Sequence, residues 1–249
     1  MFIDRKRFKD QLLFIDIETS LLHVFAHCIG SKQNINHFQV DKDKKIICIS
    51  YMAEGWKKPK TLIWDKNQDD KKLLNEFVKI INQYPLVVGQ NGDNFDLIVI
   101  CGRCWLQTSN VMPDIVSLDT LKMSRQNMRL TSHKLDWKSR VIGRPGKLDT
   151  GFGLWVDVEK GNKKALAHMV KYCEQDVLEL QAVFWSMLPY CTKLPNHLGA
   201  VLLGHQDCCP GCGSENRHKN KTRNTKAGVK QQWLCKDCGR FWTDTRRIR

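Results

Sequence analysis

Asp16 and Glu18 stand two residues apart inside the otherwise apolar segment "FIDIETS" (14–20). On a β-strand, residues i and i+2 project to the same face, so the two carboxylates point together while Ile15 and Ile17 point the other way. Side-by-side carboxylates repel and lose hydration. A divalent cation relieves both costs, and Mg²⁺ or Mn²⁺ takes oxygen ligands. A strand with one wet face accounts for the pair equally well, so the pair alone does not establish a metal site.

Two other stretches carry acids in suggestive frames. "GQNGDNFDL" (89–97) sets Asn91, Phe95 and Asp96 between a short apolar strand and a helical pattern. "KYCEQDV" (171–177) sets Tyr172 and Asp176 four residues apart, hence on one helix face. Three more acids read differently. Asp93 reads as turn chemistry, Glu174 projects off the Tyr172/Asp176 face toward solvent, and Asp119 in "SLDTLK" supports the site or a nearby strand end.

A separate chemistry is written at the C-terminal end. "CPGCG" (209–213) and "CKDCG" (235–239) pair Cys209 with Cys212 and Cys235 with Cys238, with 22 residues between the pairs. Each pair ends in a glycine that lets the backbone turn toward thiolate sulfur, and four thiolates suit a closed tetrahedral structural Zn²⁺ site. Free thiols and an iron centre are the weaker alternatives. Cys208 is left outside the ligand set, and Cys101 and Cys104, a CxxC without a second pair, read as core or surface thiols.

The elements that must position these residues follow from periodicity. Strand patterns occupy 11–19, 21–30, 45–52, 60–65 and 85–89, rich in β-branched and aromatic residues. Helical spacing appears at 69–83, with Asp69 or Asp70 as N-cap, and at 94–107, 132–143 and 162–188, the last ending before Pro189. Residues 114–122 read as a strand or extended segment and 143–155 as a Gly-rich loop. The order predicts an α/β domain, a mixed sheet flanked by helices, over 1–195. A linker at 196–204 and a small cysteine-rich module at 205–249 complete the expected organisation.

The chain has 249 residues, 42% of them hydrophobic, so a sizeable core is available. Its net charge of +14 favours a polyanionic partner, nucleic acid being the commonest. No apolar run reaches the ~20 residues of a membrane helix, and the first residues lack a secretory h-region. An intracellular, monomeric protein without a membrane partner is expected. Eleven cysteines, an odd number without a secretory leader, argue against a disulfide framework.

Taken together, "DIE" near the N-terminus, "N-x-x-x-F-D" in the middle and "Y-x-x-x-D" near the end of the domain resemble the three motifs of the DEDD superfamily. These are 3′–5′ exonucleases with a ribonuclease H-like fold. Tyr172 marks the DEDDy branch. In the DEDDh branch a histidine stands five residues before the last aspartate, where this chain has Lys171, and His168 is out of frame. The resemblance covers about residues 8–190. "VVGQNGDNFDL", "SLDTLK" and "YCEQDV" look most like stand-alone, often virus-encoded exonucleases related to family-B polymerase proofreading domains.

The resemblance implies two Mg²⁺ or Mn²⁺ ions. It gives Asp16 the bridging position and lets Glu18 bind one metal and help hold the attacking water. Asp176 completes that first site, Asp96 holds the second ion, and Tyr172 orients the water. A tyrosine, with a pKa near 10, is a poor base at neutral pH, so positioning is its expected role. Asn91 and Phe95 are expected to shape the nucleotide pocket, although Phe95 reads equally well as core.

The tail "CPGCGSEN…QQWLCKDCGRFW" is similar to the zinc ribbons of transposases and other nucleic-acid proteins. Its Arg217, Lys219, Lys221, Arg223, Lys226 and Lys230 are the expected substrate contacts, interleaved with Trp233, Phe241 and Trp242. Trp233 reads as filling the ribbon's small core. The function implied is a metal-dependent 3′–5′ exonuclease, with single-stranded DNA favoured over RNA. A non-catalytic nucleic-acid-binding or partner-docking protein, or a structure-specific endonuclease on the same fold, is the alternative.

Overall fold

The computed structural model describes residues 5–28, 30, 34–108, 110–113, 115–146, 150–191, 208–209, 214–225 and 228–243. The expected linker at 196–204, together with Cys212 and Lys226, lies outside them. In chain order the elements begin with β1 (Leu12–Thr19), β2 (His23–Val24), β3 (Val40–Lys42), β4 (Ile46–Ala53) and β5 (Lys60–Ile63). They continue with α1 (Lys71–Ile81), β6 (Leu86–Gly89), α2 (Asp96–Gln107), β7 (Val116–Asp119), α3 (Thr120–Asn127), α4 (Leu135–Val141), α5 (Gly153–Glu159) and α6 (Lys163–Met187). The C-terminal part contributes β8 (Arg217–Thr225), β9 (Gly228–Cys235) and β10 (Phe241–Thr243).

Five strands form a mixed sheet in the order β5-β4-β1-β6-β7. β4 runs antiparallel to β1 and β5, whereas β6 is parallel to β1 and β7. Both sheet faces are covered, which is why β4 is buried at every position and β1 from Leu12 to Ile15. Leu12 and Phe14 pack with Val177, Leu180, Val183 and Phe184 of α6. Leu13, Ile15 and Ile17 pack with Leu73, Leu74 and Phe77 of α1 and Ile100 of α2. The rings of Phe14 and Phe184 meet edge-to-face at 5.6 Å, and truncating a phenylalanine buried this way costs about 3–5 kcal/mol.

Four local expectations are corrected. Among its described residues, the segment 21–30 contributes only the two-residue β2, paired with β3 in a separate small sheet. Residues 114–122 divide into β7 and the start of α3, with Asp119 as N-cap, its carboxylate accepting from the Leu121 and Lys122 amides. The Gly-rich stretch gives way at Gly153 to α5, which begins inside the expected loop and runs on to Glu159. Asp70 occupies the N-cap position of α1 but makes no cap bond, and it is Asp69 Oδ1 that accepts from the Lys71 amide at 2.8 Å. The Asp70 carboxylate turns inward instead, accepting from the Ile46 amide at 2.9 Å and from Nε and Nη2 of Arg103 at 2.8 and 2.9 Å.

Candidate active site

The alternation of β1 decides where its acids go. Asp16 and Glu18 continue the face that begins with Leu12 and Phe14, so they point toward α6 while Ile15 and Ile17 anchor the strand on the opposite side. The register with β4 shifts just after Glu18, an irregularity that re-aims the strand end. α6 crosses this face, with its apolar residues on Leu12 and Phe14 and Asp176 fully buried one residue before Val177. Carboxylate oxygens of Asp16, Glu18 and Asp176 thereby lie within 4.8 Å of one another. One turn earlier, the Cys173 thiol donates to the main-chain oxygen of Asp16 at 3.3 Å and to its carboxylate at 3.4 Å. Burial first, then Cys48 and the nearby carboxylates, push the Cys173 thiol well up, so it stays protonated and serves as a donor.

Asp96 approaches from the other side of β1. The pairing of β1 with β6 ends at Phe14↔Val88, and beyond it the Ile17 amide donates to Asp96 Oδ1 at 3.2 Å. Asp96 is the first residue of α2 and is 3% exposed. Its position depends on the turn before it. Asn91 sits in the left-handed region at φ 64°, and its amide donates to Asp119 Oδ1 at 2.9 Å. Glycine 89 and Gly92 approach so closely that a Cβ on either would stand 3.1–3.2 Å from the other's Cα. Phe95 is 39% exposed beside this turn, so it is not plain core.

A buried polar cluster that sequence reasoning missed braces the same turn. The Gln90 side-chain oxygen accepts from Lys138 Nζ at 2.8 Å and from Thr120 Oγ1 at 2.7 Å, while its amide nitrogen donates to the His133 carbonyl at 3.0 Å. Lys138 is buried, and desolvation pulls its ammonium down to about 8 despite the neighbouring Asp119. Its only signal in the sequence is a lysine on the inward face of a short helix, which spacing alone does not separate from a surface cation.

Tyr172 lies one helical turn before Asp176, is 9% exposed, and packs edge-on against Trp155 of α5 with ring centroids 6.2 Å apart. α5 also supplies Glu159, which accepts from the Leu21 amide at 2.6 Å and pairs with His23 Nε2 at 2.5 Å, tying down the chain that leaves β1. Neither Trp155 nor Glu159 was legible without α5. Glu174 is corrected: it does not face solvent alone but accepts from Thr61 Oγ1 at 2.9 Å, which in turn bonds Ser50. Asp93 is held by Ser117 Oγ and by Lys122 Nζ at 2.8 Å, as a turn-stabilising acid would be.

The donor set fits divalent cations. Oxygens sharing one Mg²⁺ at ~2.1 Å stand ~3.0–4.2 Å apart, so the three carboxylates, within 4.8 Å, need only small side-chain adjustments. Without a cation, three negative charges so close in a half-buried site repel one another.

The second cluster is in the C-terminal sheet. Thiols of Cys209, Cys235 and Cys238 lie within 4.8 Å of one another, with Cys209 and Cys238 sulfurs at 3.5 Å. Sulfurs on a tetrahedral zinc with ~2.3 Å bonds stand ~3.8 Å apart, so this spacing fits. Cys208 is buried but outside the cluster. Gly239, at φ 72°, donates its amide to the Cys235 carbonyl at 3.0 Å, a turn that a side chain would strain. Cys209, Cys235 and Trp242 form a small core, with Trp233 packed against it. The CxxC at Cys101 and Cys104 is one exposed and one buried thiol on α2.

Comparison with known proteins matches residues 13–187, from β1 to the end of α6, to the family RNase_H_2 of the RNase_H superfamily. A search of curated proteins found no match. Among solved structures 175 chains match. One is the family B DNA polymerase from the hyperthermophilic archaeon Pyrobaculum calidifontis, with a TM-score of 0.55 and 12% identity. The alignment covers 86% of this chain and 31% of the polymerase, so the likeness is one of fold over about a third of the larger protein.

Proposed function

Because this chain belongs to the RNase_H superfamily, as a member of the RNase_H_2 family, we propose that it is a metal-dependent 3′–5′ exonuclease of the DEDDy branch. The observation that carries this reading is the convergence of Asp16 and Glu18 from β1 with Asp176 from α6, beside Asp96 on the Ile17 amide. The structural likeness to a family B DNA polymerase agrees with the motif resemblance to proofreading domains. Single-stranded DNA is the favoured substrate, with RNA as the second.

In this reading Asp16, Glu18, Asp96 and Asp176 hold two Mg²⁺ or Mn²⁺ ions. Bound there, such ions supply activation of a water and charge stabilisation on the phosphate. The protein's own groups do the rest. The Asp176 carboxylate is held rigid by full burial on α6. The Cys173 thiol orients Asp16, and Asp119 and the Gln90 cluster fix the turn that presents Asp96. Tyr172, wedged by Trp155, directs its hydroxyl to the attacking water, and Asn91 and Phe95 contact the terminal nucleotide. We assign residues 1–195 to this catalytic domain, 196–204 to a linker and 205–249 to a ribbon in which Cys209, Cys212, Cys235 and Cys238 hold one structural Zn²⁺. Cations of this ribbon increase substrate affinity.

The test is a time course on 5′-labelled single-stranded DNA and RNA with and without Mg²⁺ or Mn²⁺. A ladder shortening from the 3′ end, lost on Asp16→Ala, is expected. Internal cuts without a ladder, shortening from the 5′ end, or binding without any product would each overturn the exonuclease reading.

A further inference from the structure

The C-terminal strands carry a run of cations that sequence alternation would place on one face. In "RHKNKTR" (217–223), Arg217, Lys219, Lys221 and Arg223 are spaced by two, so a regular strand projects all four together. The structure separates them. β8 pairs with β9 as Arg217↔Cys235, His218↔Leu234 and Lys219↔Trp233. The register then shifts, and pairing resumes as Lys221↔Gln232, Thr222↔Gln231 and Arg223↔Lys230. Asn220 is the extra residue of this bulge, and beyond it every side chain of β8 changes side.

The two faces therefore differ in kind. One carries Arg217, Lys219, Trp233, Cys235 and, across from Trp233, Trp242 of β10. Cys235 and Trp242 are buried here, whereas Lys219 is exposed at the edge of this face. The Arg217 guanidinium lies 4.0 Å from the centre of the Trp233 ring, so this cation is engaged inside the module. The other face carries His218, Lys221, Arg223, Lys230 and, opposite Leu234, Phe241. By register its described residues include no acid, and Gln232, opposite Lys221, is buried beneath these cations. Lys230 stands directly across from Arg223, a like-charge pair that is unfavourable by itself. Phe241 is 51% exposed at its end.

We propose that this bulge-generated face, Lys221, Arg223, Lys230, His218 and Phe241, is where the protein grips single-stranded nucleic acid, and that Arg217 and Lys219 are not part of the grip. The proposal deepens the reading that the protein acts on nucleic acid. Phosphates neutralise the Arg223/Lys230 pair, and the exposed phenyl ring offers a stacking surface to an unpaired base, a combination suited to single strands rather than duplex.

The test uses full-length protein carrying Asp16→Ala, so that bound substrate is not consumed, and fluorescence anisotropy with a labelled single-stranded 20-mer across a salt series. Lys221→Glu/Arg223→Glu/Lys230→Glu is expected to weaken binding at least tenfold, and Lys219→Glu less than twofold. The neutral triple glutamine variant, all at surface positions, is expected to flatten the log–log salt slope by about 2, at ~0.7 per lost phosphate contact. Phe241→Ala is expected to weaken single-strand binding without changing that slope. Unchanged affinity in both triple variants overturns the proposal, as does a Lys219→Glu loss equal to that of the triple, or tighter binding of blunt duplex than of single strand. Cleavage by protein with Asp16 intact is scored separately. Absence of product with this binding pattern retained would remove the nuclease reading and leave the face assigned.

Discussion

Neutralising Asp176 separates a metal site from an ordinary acidic patch, because the two make opposite predictions for stability. Asp176 is fully buried, and its carboxylate lies within 4.8 Å of those of Asp16 and Glu18. At 4.8 Å and an effective dielectric of about 20, two unit charges repel by ~3.5 kcal/mol. Asp16 and Glu18 are partly exposed, which reduces this to about 2 kcal/mol per pair. Asp176→Asn keeps the side-chain shape and removes two such pairs, so in Mg²⁺-free buffer it should stabilise the protein by about 3–4 kcal/mol. For a chain of this size that raises Tm by roughly 10 °C. Saturating Mg²⁺ should close most of this gap. Wild type gains ~2.7 kcal/mol at a concentration of a hundred times Kd, while the variant, lacking a ligand, gains little. Differential scanning fluorimetry with and without Mg²⁺, omitting chelators that would strip a zinc site, reads both effects. A variant less stable than wild type in the absence of Mg²⁺, or an equal Mg²⁺-induced shift in both proteins, would refute the reasoning.

Further outcomes are expected from other parts of the fold. Tyr172→Phe keeps the ring against Trp155 and removes only the hydroxyl, so cleavage should fall ~10–100-fold with Tm unchanged; an unaltered rate would remove Tyr172 from the site. Asp70→Ala strands the buried Arg103 guanidinium and the Ile46 amide and should cost about 3–5 kcal/mol in urea unfolding; a loss below 1 kcal/mol would count against that pairing as a core element. Lys138 holds its proton only to about 8 when folded and to ~10.4 when unfolded, so the native state binds fewer protons between these values. Stability relative to Lys138→Met should therefore rise by about 3 kcal/mol between pH 8 and 10; a flat difference would mean the ammonium is not desolvated.

What the sequence made legible depended on period and on spacing. The strand alternation of Leu12–Ile17 and the four-residue step from Tyr172 to Asp176 needed no tertiary information, and both faces are as the alternation requires. The mixed sheet with helices on both sides followed from element order. The losses have physical causes. α5 is seven residues long and preceded by glycines, too short for a helical period to emerge. Asp70 has the residue type and place of an N-cap, but a buried arginine 33 positions later outcompetes the local amide. The Glu174–Thr61–Ser50 chain joins residues far apart in sequence, and the bulge at Asn220 arises from strand pairing that no single strand's pattern specifies.

The bond from the Ile17 amide to Asp96 bears on how a substrate complex could be trapped. Inactive variants for such experiments are commonly made by removing any one acid of a site. Here Asp96 also caps a main-chain donor at the point where β1 and β6 part, so replacing it by alanine would open the sheet as well as silence the chemistry. Glu18 stands at the shifted end of β1 and is partly exposed, and a glutamine keeps its side-chain shape there while removing the charge. Glu18→Gln is thus the cleaner bait for capturing the polymer this protein grips.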